Sequence, residues 1–98
     1  MKPTKKFGSA SFHDIVINTT VADLKRVCGE PSHEQNDGSD KVNFEWEMET
    51  NSGKVFTIYD WKEYKRIKET AIIEFHIGGA TKQVTEEALV ELEQALNS

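Results

Sequence analysis

Between Val42 and Glu49 the chain alternates strictly: Val42, Phe44, Trp46 and Met48 are apolar, while Asn43, Glu45, Glu47 and Glu49 are polar. Successive side chains of a strand point to opposite faces, so this segment predicts a strand with one face in a core and one in water. A sheet built from such strands needs cover on one side only, which directs the chain toward a two-layer α+β fold. Asn51, Ser52 and Gly53 then read as a hairpin connection, and residues 54–61 (KVFTIYDW) return as a strand. Its two faces, Val55, Thr57, Tyr59 and Phe56, Ile58, Asp60, both look apolar enough for a central position in the sheet. After a charged connector, residues 70–77 (TAIIEFHI) alternate Ala71, Ile73, Phe75 and Ile77 against Ile72, Glu74 and His76, a third hairpin-linked strand.

The flanks supply the remaining elements. Phe12 to Ile17 ends in the β-branched run Ile15, Val16, Ile17 and predicts a strand stopped by Asn18, Thr19 and Thr20. Thr20 suits an N-cap whose hydroxyl accepts from the amide of Asp23, opening a helix over 21–28. Val21, Leu24, Val27 and Cys28 form its buried face, and Gly29 followed by Pro31 ends it. Gly78 and Gly79 break the third meander strand, and Thr85 with Glu86 and Glu87 predicts a second helix over 85–96. Its stripe is Ala88, Leu89, Leu92, Ala95 and Leu96, which leaves Glu87, Glu91 and Gln94 to solvent. The expected architecture is a two-layer α+β domain over 12–98, order β-α-β-β-β-α, with a mainly antiparallel four-stranded sheet. Residues 1–11, with three lysines, a proline and a glycine, read as a flexible basic arm, and 32–40 (SHEQNDGSD) as an exposed polar loop.

Composition narrows the function classes. A chain of 98 residues holds one core. No stretch approaches the ~18 apolar residues of a membrane span, and no apolar run follows the basic start as in a signal peptide, so a cytoplasmic protein is expected. The single cysteine, Cys28, rules out an internal disulfide and a cysteine-based zinc site. A net charge of −5 disfavours duplex nucleic acid as the main partner. His13, His33 and His76 show no metal-ligand spacing, and no nucleophile motif is present, so neither a metal, a cofactor nor catalytic residues are expected, and the chain reads as non-enzymatic.

The stretches GEPSHEQNDGSDKVNFEWEMET (29–50), VFTIYDWKEY (55–64) and EFHIGG (74–79) resemble small bacteriophage-encoded proteins. The resemblance covers most of the chain after residue 15 and attaches to no particular reaction. It implies a phage setting in a host cell's cytosol, where proteins of this size are often antagonists of host defence. Some such proteins are sponges that sequester nucleotide immune signals, and others block a nuclease or effector complex.

Two surfaces are candidates for the work. Residues 61–68 (WKEYKRIK) interleave Trp61 and Tyr64 with Lys62, Lys65, Arg66 and Lys68, and Tyr59 precedes them. Aromatic planes stack bases and cations meet phosphate, so this island suits a nucleotide; it equally suits a solvated connector at the sheet margin. His76, Gly78 and Gly79 leading to Lys82 could add glycine-turn amides for an anion, although two glycines there also serve a tight turn. Antiparallel pairing sends this glycine end away from the connector. The alternative surface is acidic: Glu45, Glu47 and Glu49 on one strand face, with Asp37 and Asp40, could imitate phosphates toward a basic groove of a host defence protein. An exposed sheet edge offers a route to a homo-oligomer.

Overall fold

A computed structural model of the chain describes residues 1–6, 8 and 11–98. Its elements are β1 (Lys2–Pro3), β2 (Phe12–Thr19), α1 (Val21–Cys28), β3 (His33–Glu34), β4 (Phe44–Glu49), β5 (Val55–Asp60), β6 (Ile73–Gly79) and α2 (Lys82–Leu96). The class is α+β with two helices and an antiparallel sheet, but the sheet has six strands rather than four. The two additions, β1 and β3, are two-residue strands that lie along the same outer edge of β4. Their sequences are too short and polar to show any periodicity, and only the unpaired edge of β4 makes them strands. The remaining order is β4-β5-β6-β2, so β5 is central, and the first long strand closes the far edge against β6.

The alternation of β4 puts Phe44, Trp46 and Met48 into the core, each about 1% exposed. Phe56 and Ile58 of β5 and Phe75 and Ile77 of β6 continue that layer, and α1 and α2 cover it with Leu24, Cys28, Ala88 and Leu92. Trp46 stacks on Phe44, and its indole N–H donates to the Gly29 carbonyl at 3.0 Å, tying the sheet to the end of α1. Gly29 has φ +84°, the left-handed conformation that favours glycine at a helix end. Thr20 caps α1 by accepting from the Asp23 amide at 3.0 Å.

Several local expectations change. Asn18 and Thr19 do not stop the first long strand, because pairing with Glu74 and Ile73 carries β2 through them, and β6 opens at Ile73 rather than at Thr70. Val42 is outside β4, because the buried Asp60 carboxylate accepts the amides of Asn43 and Phe44 and ends the ladder there. Gly78 and Gly79 do not break β6; they pair with Thr57 and Phe56, and Gly79 also faces Phe12. The second helix starts one turn earlier: Thr81 accepts from the Val84 amide at 3.2 Å, while Thr85 is fully buried and its hydroxyl donates to the Lys82 carbonyl. Glu86 and Glu87 therefore lie beyond the first turn, and Glu87 and Glu91 hold the 50–53 turn through Ser52 and Asn51 instead of facing water alone.

The start of the chain also departs from the loose arm expected. Besides β1, the Met1 ammonium meets Glu91 at 3.0 Å, Thr4 donates its amide to Glu47, and a Cβ at Gly8 would lie 2.7 Å from the Val55 Cβ. The expectation for residues 7, 9 and 10 lies outside the described residues. Among the described residues no helix is long and apolar enough to cross a membrane. The helices cover one sheet face; on the other, among the described residues, the first ones lie over the part near Glu47, Glu49, Val55 and Thr57.

Candidate functional site

The strand registers set a row of side chains across the face away from the helices: Val16, His76, Tyr59, Glu45 and His33, one from each of five strands. Directly opposed residues of antiparallel strands share a face, so these five are neighbours although they span most of the chain. Tyr59 is the centre of the row. Its ring stacks on His76 (centroids 5.6 Å apart, 18° between planes) and meets Trp61 edge-on at 6.2 Å. Its hydroxyl is 2.7 Å from His13 Nδ1, contributed by the irregular stretch of β2 between Phe12 and Ile15.

Together with Val42, Glu45 and Thr57 these rings line an open depression of about 510 Å³. Burial, aided by the Glu45 charge, pushes the Tyr59 hydroxyl above its usual pKa. Burial likewise raises the Glu45 carboxyl, the neighbouring Glu47 adds to this, and His33 opposes it. At the rim, Trp61 is 43% exposed and has Lys62 Nζ at 5.7 Å and Lys41 Nζ at 5.9 Å from its ring. The half-exposed ring therefore carries two ammoniums over it, within the range at which cation and ring attract, and joins aromatic surface to positive charge at the rim.

The connector that presents Trp61 is held in an uncommon shape. Lys62 (φ 56°) and Tyr64 (φ 49°) occupy the left-handed region, which costs a non-glycine residue of order 1–2 kcal/mol and persists only when the surroundings impose it. The polar loop 35–43 imposes it. Asn36 accepts the amide of Ile67 and donates to its carbonyl, both at 2.7 Å. Asn43 donates to the Lys65 carbonyl at 2.9 Å, and the Lys62 amide donates to the Lys41 carbonyl at 2.7 Å. Gly38 (φ +75°) lies so close that a Cβ there would be 2.6 Å from the Lys65 Cα. Ile67, only 3% exposed, anchors the connector in the core.

Of the aromatic and basic residues singled out from sequence, Tyr59, Trp61 and His76 converge, with Lys62 at their rim. Tyr64, Lys65 and Arg66 are exposed along the connector and do not line the depression; Arg66 borders a separate groove with Asn36 and Ile67. Gly78 and Gly79 offer no free glycine turn, since both are inside β6, and the register opposite Phe56 puts Gly79 at the far end of β5 from Trp61. Lys82 is at the start of α2, 3.8 Å from Glu86.

The acidic row is also interrupted. Glu45 and Glu47 lie on the face away from the helices, but Glu49 is 4% exposed and bound by Lys2 at 3.2 Å, Lys6 at 3.0 Å and the Thr4 hydroxyl at 3.0 Å. Asp37 accepts from Ser39 and Gln35, which holds its carboxyl below the usual range, and Asp40 accepts from the Lys41 amide. Cys28 is buried against the core, and burial pushes its thiol up to about 12.

His13, Lys41, Val42 and Thr57 are the site residues that sequence patterning missed. His13 is brought in by pairing across 46 residues, and nothing in its own neighbourhood signals that. Among the described residues no group of three or more His, Cys, Asp or Glu side chains is placed to hold a metal ion. Comparison with protein-family models, with curated proteins and with solved structures finds no match to this chain.

Proposed function

We propose that the protein is a non-enzymatic binding protein that sequesters a small nucleotide on the sheet face away from its helices. The observation that carries this reading is Trp61, half exposed beside the Tyr59–His76 stack with two lysine ammoniums within 6 Å of its ring. A base stacks on aromatic surface and its phosphate pairs with the ammoniums, which is how single nucleotides are held without a deep pocket. The same ammoniums repel a cationic ligand, so this is a poor cage for a quaternary ammonium despite its aromatic walls.

The resemblance to small bacteriophage-encoded proteins supplies the setting: in a host cytosol the sequestered ligand would be a nucleotide immune signal, and its capture would blunt a defence. The competing reading, an acidic inhibitor of a host defence protein, has less support because Glu49 is neutralised by Lys2 and Lys6.

The test is a thermal-shift and tryptophan-fluorescence screen of linear and cyclic nucleotides. Binding only to the folded state raises apparent stability as RT ln(1 + [L]/Kd), so a member of the panel is expected to raise the melting temperature and quench Trp61. Trp61→Ala is expected to weaken that ligand roughly 10- to 100-fold, the worth of one stacked base. A panel without any shift, or binding untouched by Trp61→Ala, would refute the assignment.

A further inference from the structure

Glu45 is the one acid among the residues lining the depression; its carboxylate is half-buried, and the group facing it across the strand pair is His33, which acts on it through charge. Its neighbours differ: Glu49 has three partners, and Glu74 stands 3.7 Å from His76. A half-buried carboxylate on the wall of an aromatic depression gains from a ligand that brings it donors. It also fixes how a nucleotide lies. Phosphate is repelled by the carboxylate and drawn to Lys41 and Lys62 beside Trp61, so the base edge points the other way, across Tyr59 toward β4.

Resting on the nucleotide reading above, we infer that the site selects guanine, with Glu45 as the residue that recognises the base. A carboxylate has two acceptor oxygens side by side and no donor. Guanine alone among the common bases has two adjacent donors on its pairing edge, N1–H and the N2 amino group. Adenine and cytosine each put one amino group beside a ring acceptor that would face the carboxylate. Uracil places its single N–H between two carbonyls. The discrimination comes from leaving charged or polar groups unpaired with the wrong base, as in other sites built to hydrogen-bond one edge.

The experiment is a set of equilibrium titrations of GMP, IMP, AMP, CMP and UMP, followed by Trp fluorescence and calorimetry, on the wild type, Glu45→Gln and Glu47→Gln. GMP is expected to bind about 10- to 100-fold tighter than AMP, the usual worth of a bidentate pair, with IMP between them because it keeps N1–H and lacks the amino group. Glu45→Gln is expected to abolish the preference, weakening GMP and strengthening AMP, whose amino group and ring acceptor an amide can pair; Glu47→Gln, outside the lining, should keep the preference for GMP over AMP. Nucleotides that bind without base preference, or a preference that survives Glu45→Gln, overturn the inference and leave the nucleotide reading standing. Failure of these five and of the cyclic nucleotides to bind the wild type overturns both.

Discussion

Asp60 has no exposed surface, yet its charge is met by backbone: the Asn43 amide reaches both carboxylate oxygens at 3.0 and 3.1 Å, and the Phe44 amide reaches Oδ1 at 2.7 Å. Period-two reading groups Asp60 with Phe56 and Ile58 without deciding between the two faces, and the fold makes that face the core one. What it does there is to end β4 and turn residues 41–43 so that Lys41 stands over Trp61. Asp60→Asn would set an amide donor against one of those N–H groups and leave a buried donor unsatisfied. The expected loss is about 2–3 kcal/mol in urea unfolding, with weaker nucleotide binding where the variant remains folded. A loss below about 0.5 kcal/mol would mean that these hydrogen bonds contribute little net stability.

Elements follow their local signals where a neighbour does not intervene. Helix α1 has the ends its sequence announces, Thr20 before it and Gly29 after it. Helix α2 does not start where its acids suggest, because Val84 and Thr85 pack against Gly79 and draw the first turn onto the sheet. A Cβ at Gly79 would lie 3.0 Å from Val84 Cγ1 and 3.1 Å from Thr85 Cγ2. Gly79→Ala is therefore expected to cost about 1–3 kcal/mol by overpacking, read as a lowered melting temperature. Nucleotide affinity should be unchanged, since Gly79 is opposite Phe56 and away from Trp61. If affinity fell and stability held, Gly79 would belong to an anion site after all. The glycine pair reads as a strand breaker from propensity alone, and it is the close approach of α2 that makes it strand.

At the scale of the whole molecule, the first residues act as a strap: β1 runs beside β4, Gly8 lies against Val55, and β2 begins opposite Gly79. Its fastening is Glu49, whose carboxyl is held below its usual range chiefly by the Lys6 ammonium, with Thr4 and Lys2 adding to it. A carboxyl so depressed adds stability above its ordinary pKa of 4.5, and that contribution is lost as pH falls through the lowered value. The Thr4 amide, bonded to the Glu47 carbonyl, should stay protected from hydrogen exchange at neutral pH and lose protection below pH 4.5 before the core does. Protection that persists until global unfolding would show that Glu49 does not fasten the strap. None of this was legible from a lysine-rich start, because composition reports solvation and not which edge is vacant. The sequence by itself determined the one-faced strands, the first helix with its caps, and the β4–β5–β6 meander, since period and capping depend on residues a few positions apart. Only the tertiary structure decided that β2 closes the far edge, that loop 35–43 bends the connector, and that His13, Glu45, Tyr59 and His76 share one face. Those depend on cross-strand register, and register is fixed by the packing of the whole sheet.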